Sequence, residues 1–251
     1  MDTKLFDGKA LAQKIEADLK GKNKHQKLVS ILVGDNPASV LFLTLKQKAA
    51  ERVGATLEIK RFSPDTPETE IIHFIEALNS DNSVKGIMVQ LPIPNGFDRV
   101  QIIDAIAPEK DIDGMREDGH FTAPVVNAIW AAISDSGTQE KEATIVGAEG
   151  FVGKKLTAFL EEKGYLVHGV DIGSSDFTER IKQADLLVSA TGTERLIKGD
   201  MIKNGAVVID VGSPRGDVEN TSVVGVAFFL SPVPGGVGPL TIAYLMANLL
   251  Q

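Results

Sequence analysis

The feature that most constrains this chain is the regular alternation of apolar runs with amphipathic stretches of helical period. The segment LVSILVG (28–34) reads as a buried strand, and ASVLFLTLKQKAAERVG (38–54) as a helix closed by Gly54. A strand over 56–62 follows. Next come a helix over 66–81, with Thr66 as its cap and Pro67 in its first turn, and a strand over 84–92 stopped by prolines. Strands separated by helices pair in parallel through right-handed crossovers. The series restarts after a connecting helix over 123–137. Strands are expected over 142–148, 165–171, 185–191 and 206–212, with helices between the early ones and a final helix over 238–251. The expected fold is α/β with two lobes: an N-terminal βαβ parallel-sheet domain and a Rossmann dinucleotide-binding domain, with a hinge near 115–140.

The second lobe opens on IVGAEGFVGKK (145–155). Gly147, Gly150 and Gly153 follow a strand and lead into a helix, the context that a dinucleotide fingerprint requires. Small residues let the backbone approach a pyrophosphate, and the helix N-terminus offers it free N–H groups. Ala148 stands where the G-x-G-x-x-G pattern has its first glycine, so the same glycines also suit an ordinary strand-to-helix turn that needs them for packing. The next strand favours the nucleotide. It ends in Asp171, eighteen residues past Gly153. A carboxylate there accepts both ribose hydroxyls of NAD and repels the extra phosphate of NADP. The plainer reading is an Asp capping its own turn.

Bulk properties act mainly by exclusion. The formal charge is −8, and no basic run is present, which argues against nucleic acid and anionic membrane as partners. There is no cysteine, hence no disulfide and no thiolate–metal site. His25, His73, His120 and His168 lie far apart without metal-ligand spacing, so no metal is expected. The charged N-terminus lacks a signal core, and no run is long enough to span a membrane, so a cytoplasmic protein is expected.

Four segments together resemble one family: VGDNPASVLFLTLKQKA (33–49), KGIMVQLPIP (85–94), PEKDIDGM (108–115) and SPVPGGVGPLTIA (231–243). With LFDGKALA (5–12) and VVIDVG (207–212), they are similar to the methylenetetrahydrofolate dehydrogenase/cyclohydrolase family, the bifunctional FolD type. The resemblance runs through nearly the whole chain in the right order. It implies oxidation of methylenetetrahydrofolate with hydride transfer to NAD or NADP, then hydrolysis of the methenyl product to 10-formyltetrahydrofolate. It also implies an active-site cleft between the lobes and a homodimer. The domains would be 1–120, completed by helix 238–251, for folate and catalysis, and 121–237 for the dinucleotide.

By the same resemblance Lys46 is the catalytic lysine, Gln90 the glutamine that holds it, and Asp113 the acid that hydrogen-bonds the pterin ring. Ser39, Phe42 and Pro92 would contact folate, as would Pro234, Gly235, Gly236 and Pro239 of the turn that lines the cleft. Gly147, Ala148, Glu149, Gly150, Val152, Gly153, Asp171, Thr191, Gly192, Asp210 and Gly212 would contact the dinucleotide. A buried lysine has a lowered pKa, which suits it to moving protons beside a forming cation. Taken singly, each residue has a plainer reading: a solvated lysine, a strand-capping glutamine, turn aspartates beside Gly114, a rigid proline turn.

The chain departs from the family pattern in three places. Phe42 replaces the family's tyrosine; it can stack on the aminobenzoyl ring but supplies no hydroxyl, which leaves a dehydrogenase-only enzyme as an alternative. Ala148 and Glu149 replace the usual Arg-Ser of the cofactor turn, and Asp171-Ile172 replaces a His-Ser pair that helps hold the 2′-phosphate; NAD is therefore expected over NADP. The stretch between 115 and 123 is short, with Thr122 as the remnant of a P-x-T-P-x-G segment. Two further alternatives are a shikimate-type dehydrogenase, against which the Q-L-P and P-G-G-V-G-P motifs speak, and a non-catalytic member that binds dinucleotide or folate.

Overall fold

The computed structural model describes residues 2–22 and 25–251. In chain order the first half carries β1 (Lys4–Leu5), α1 (Gly8–Leu19), β2 (Lys27–Val33), α2 (Pro37–Val53), β3 (Thr56–Phe62), α3 (Glu68–Ser80), β4 (Gly86–Val89) and α4 (Arg99–Asp104). The second half carries α5 (Pro124–Ser136), β5 (Glu142–Val146), α6 (Phe151–Glu162), β6 (Leu166–Val170), α7 (Phe177–Gln183), β7 (Leu186–Ser189), β8 (Val207–Asp210), α8 (Asn220–Val223), β9 (Phe229–Ser231) and α9 (Val237–Leu249). The chain divides into two compact units. One comprises Gln13–Pro124 with Ile242–Gln251, the other Met1–Ala12 with Val125–Thr241.

The first unit is built on a parallel sheet ordered β3-β2-β4. β2 is apolar almost throughout because both of its faces are covered. Leu28 packs with Met88, with Ala49, Ala50 and Val53 of α2, and with Leu245, Met246 and Leu249 of α9. Val29, Ile31 and Val33 pack with Ile71, Ile75 and Leu78 of α3 and Ile102 of α4. The end of α9 thus supplies part of this unit's core.

Helix α2 starts where Asn36 Oδ1 accepts the N–H groups of Ala38 (3.0 Å) and Ser39 (3.1 Å), with Pro37 at its first position. It stops at Gly54, whose φ of 82° is left-handed and whose N–H bonds back to Ala50 and Glu51. Thr66, in contrast, does not cap α3. Pro67 occupies that position without a side-chain bond, and the acids Glu68 and Glu70 stand in the first turn, where they favour the helix dipole.

The second unit has six parallel strands in the order β1-β9-β8-β7-β5-β6. From β5 the chain steps to β6 on one side and to β7 on the other. The carboxyl ends of β5 and β7 therefore flank a topological switch point, where doubly wound sheets bind ligands. The N-terminal residues, assigned above to the folate lobe, pack here instead. Lys4 pairs with Phe229 and Leu5 with Leu230, and Lys9 N donates to Gly235 O at 3.1 Å. Among the described residues no helix is long and apolar enough to cross a membrane.

Candidate active site

The buried stripe of α2 runs Ser39, Leu43, Lys46, Ala50, Val53, steps of four, three, four and three residues. A lysine at the centre of that stripe is carried into the core with its apolar neighbours; Lys46 is only 9 % exposed. Its Nζ donates to Gln90 Oε1 at 3.1 Å and lies 3.8 Å from Met88 Sδ. Gln90 is 8 % exposed and follows β4 directly, with its N–H still bonded to Ile31 O. Its Nε2 donates to Leu91 O at 2.7 Å. That bond fixes the amide so that its oxygen, the end a lysine needs, faces Lys46. Ser39 Oγ donates to the same Leu91 carbonyl at 3.2 Å, which ties the start of α2 to the end of β4. Burial pushes the Lys46 ammonium below its ordinary value, and the Asp113 carboxylate partly opposes that.

The structure thus gathers Lys46, Gln90 and Ser39 into one cluster, with Asp113 near enough to act on the lysine's charge. Phe42 lies one turn before Lys46 and is half-buried. Pro92 follows a cis Leu91–Pro92 bond and is exposed; with Leu91, Pro94, Phe97 and Arg99 it lines an open cavity of about 260 Å³. The short stretch after Asp113 is firmly held. Arg116 N donates to Asp111 Oδ2 at 2.8 Å, and its guanidinium engages both Asp118 oxygens (2.7 and 2.8 Å) and the carbonyls of Asp104 and Ile106. Asn248 Nδ2 donates to the carbonyls of Ile112 (2.9 Å) and Thr122 (3.2 Å), which brackets the stretch from α9.

The dinucleotide candidates belong to the other unit. Gly147 has φ 84°, and its N–H donates to Val170 O at 2.9 Å, which sets the turn beside the strand that ends at Asp171. A Cβ on Gly153 would overlap the Gly147 carbonyl oxygen, so only glycine lets α6 start this close to β5. Gly150 caps α6 without a side-chain bond, and Ala148 and Val152 are half-buried beside it. Glu149 is exposed and pairs with Lys154 at 3.2 Å. This bare turn opening a twelve-residue helix fits a dinucleotide pyrophosphate. Asp171 is half-buried; its N–H meets Ser174 Oγ at 3.3 Å.

Across the switch point, Thr191 and Gly192 follow β7. Asp210 points inward: its carboxylate accepts the N–H groups of Gly212 (2.9 Å), Asp217 (3.0 Å) and Val218 (3.0 Å). Burial raises its pKa to about 6 despite those bonds. Pro234, after the cis Val233–Pro234 bond, and Gly235, at φ 106°, form a turn whose Gly236 N donates to Pro232 O at 2.8 Å; Pro239 sits in the first turn of α9. Asp217, which takes two further bonds described below, has no motif and was not singled out from the sequence. Among the described residues no group of three or more His, Asp or Glu could hold a metal ion.

Comparison with known proteins bears on both units. Residues 6–113 match the tetrahydrofolate dehydrogenase/cyclohydrolase catalytic domain, and residues 122–251 the NAD(P)-binding domain of the same family. The bifunctional protein FolD of Polynucleobacter necessarius is 37 % identical over 276 aligned residues, covering 100 % of this chain and 97 % of that protein. The crystal structure of the Campylobacter jejuni FolD methylenetetrahydrofolate dehydrogenase/cyclohydrolase is 34 % identical with a TM-score of 0.92, covering 99 % of this chain and 97 % of that one. The Trypanosoma brucei enzyme, solved with NADP cofactor and an inhibitor, is 27 % identical with a TM-score of 0.92, covering 100 % and 97 %.

Proposed function

Since this chain belongs to the tetrahydrofolate dehydrogenase/cyclohydrolase family, we propose that it oxidises methylenetetrahydrofolate to methenyltetrahydrofolate and hydrolyses that product to 10-formyltetrahydrofolate. The observation that carries the reading is the buried Lys46 held on Gln90. In the first step the methylene carbon loses a hydride and becomes a cation shared between two nitrogens. A bound nicotinamide dinucleotide supplies the hydride acceptor. A fully charged lysine beside that carbon would oppose the step, and burial relieves this by lowering the ammonium's pKa. In the second step water adds to the carbon and gives up one proton; one carbon–nitrogen bond then opens as the hydroxyl becomes the formyl carbonyl and its remaining proton passes to the released nitrogen. Neutral Lys46 takes the water's proton, while Gln90 Oε1 keeps the amine oriented. Asp113 faces the pterin edge as an acceptor, and Phe42 stacks on the aminobenzoyl ring.

For the cofactor we favour NAD over NADP. What supports this is Asp171 at the end of β6, beside the Gly147 turn, together with Glu149 in that turn. Two carboxylates there disfavour a 2′-phosphate. A homodimer belongs to the same reading and rests on the family resemblance, and a cytoplasmic location rests on the sequence alone; light scattering of the purified chain tests the dimer.

The deciding experiment measures initial rates with methylenetetrahydrofolate, NAD and NADP in parallel, following the methenyl product and its decay. NADH formation well above NADPH formation, with methenyl decay above the buffer blank, is expected. Asp171→Ser should lower the NAD-to-NADP ratio of kcat/KM by about tenfold or more, the value of one lost ribose contact plus one relieved repulsion. An unchanged ratio would remove Asp171 from cofactor choice. Accumulating methenyl product would make the chain a dehydrogenase alone, and binding without turnover a non-catalytic member.

A further inference from the structure

A second buried carboxylate stands behind the dinucleotide side of the sheet. Asp217 is 0 % exposed. Its Oδ2 accepts Ser189 Oγ at 2.8 Å and the backbone N–H of Thr191 at 2.7 Å. Its own N–H is held by Asp210 Oδ1 at 3.0 Å, and Thr191 lies directly across from the glycine turn. Ala190 N donates to Val146 O at 2.9 Å, and a Cβ on Gly147 would come within 2.8 Å of Ala190 O and 3.3 Å of Thr191 Cα. The chain leaving β7 is therefore clamped between the glycine turn on one side and Asp217 on the other.

Burying a carboxylate is costly, and hydrogen bonds must offset that cost. Two features indicate what they do here. Both donors lie on the same three-residue step, Ser189 to Thr191, so the carboxylate fixes the direction in which the chain leaves β7. The segment carrying Asp217 is itself locked, because Asp210 collects the N–H groups of Gly212, Asp217 and Val218. A Cβ on Gly212 or Gly216 would overlap Asp217 Oδ1 or Asp210 Oδ2 respectively, so the packing around both acids leaves no slack. Among the described residues, Asp217 Oδ1 has no hydrogen-bond partner, so the side chain is committed to the two donors through one oxygen.

We propose that Asp217 is a positioning residue for the dinucleotide: through Ser189 Oγ and Thr191 N–H it sets the wall of the switch-point crevice that faces the Gly147 turn. This rests on the reading that the Gly147 turn and the Thr191 loop receive a dinucleotide. Asp217 itself touches no cofactor atom; it acts through Thr191.

The test is NADH affinity, read by titrating the Trp130 fluorescence of the full chain, alongside KM for dinucleotide and for methylenetetrahydrofolate. Asp217→Ala should weaken NADH binding and raise dinucleotide KM by about tenfold or more, the loss of two bonds to a charged acceptor, while the folate KM stays within error. Asp217→Asn keeps one oxygen for both donors and should stay within about threefold of wild type. If Asp217→Ala does not fold, Ser189→Ala, which removes one of the two donors, should weaken NADH by about threefold. An altered thermal stability with unchanged dinucleotide affinity would overturn the proposal and leave Asp217 a merely structural acid. Equal rises in both KM values would overturn it too. Wild type that binds no NADH would remove the dinucleotide reading and the positioning role together, whereas wild type that binds NADH without folate turnover leaves the affinity comparison intact and strikes only the catalytic reading.

Discussion

Lys46 combines two properties that pull apart. It must be buried to lose part of its charge, and it must keep a polar partner to tolerate burial. Gln90 resolves this, because a neutral acceptor stabilises the amine in either protonation state, whereas a carboxylate partner would lock the ammonium on. Lys46→Arg tests that logic. Arginine keeps the size and the charge but does not deprotonate within proteins, so hydrolysis of the methenyl compound should fall by about 100-fold or more. Retained hydrolysis would mean that the lysine serves only as a charge. The wild-type rate of the same step should rise with pH through a value below 10.5, since the proposed working form is the neutral amine and burial lowers its pKa. A rate that falls over that range would reverse the assignment. Phe42 sits one helical turn away and brings no hydroxyl. Phe42→Tyr should raise hydrolysis by about three- to tenfold and leave hydride transfer nearly unchanged, because only the hydrolytic step gains a proton relay. Methenyl decay measured separately from NADH formation distinguishes the two.

At the scale of elements, periodicity located what burial alone determines. Helix α2 and strand β3 fall within a residue of their expected bounds, since a continuous apolar stripe or a signed stop such as Gly54 marks each end. The expected strand over 84–92 closes at Val89, because Gln90 and the prolines turn away while only the Gln90 N–H remains paired. Strands β1 and β9 left no signal. They span two and three residues; β1 exists only through pairing with β9 across more than two hundred positions, which local pattern does not encode, and β9 is held between β1 and β8. The site divides the same way. Lys46 and Gln90 stood in motifs, and their contact follows from helix phase and strand end. Asp217 stood in none, because its partners are a backbone N–H and a serine at the end of β7. Glycines connect the two levels. Gly54→Ala forces a left-handed φ of 82° on a side chain and should cost about 1 kcal/mol of stability with unaltered kinetics. Gly153→Ala pushes a methyl into the Gly147 carbonyl and should weaken NADH binding as well. Unfolding curves and NADH titrations of both variants check this contrast; equal effects on the two readouts would refute it.

For the molecule as a whole, buried ionisable groups decide how stability runs with pH, and the two units run in opposite directions. Asp210 has its carboxyl raised by burial to about 6, against an ordinary value of 3.8. The stability gained by holding that proton is complete below 3.8 and is lost as pH rises through about 6. Lys46 has its ammonium lowered, so between its folded value and 10.5 the unfolded chain binds the additional proton and stability climbs with pH. A single global unfolding curve would blend the two. Trp130, the only tryptophan, separates them. It lies in α5 with its ring edge-on to Phe159 (5.8 Å) and Tyr165 (6.1 Å), all in the unit that holds Asp210. Urea unfolding read by Trp130 fluorescence, for wild type and Asp210→Asn, isolates the aspartate because asparagine does not titrate. Between about pH 7.5 and about pH 4.5 the wild type should gain about 2 kcal/mol relative to the variant, most of the shift available from a carboxyl moved from its ordinary value to about 6. A gap that stays constant would mean that Asp210 remains ionised across that range. The three backbone N–H groups would then outweigh the burial, and the segment from Gly212 to Val218 would hold its shape in acid as firmly as at neutral pH.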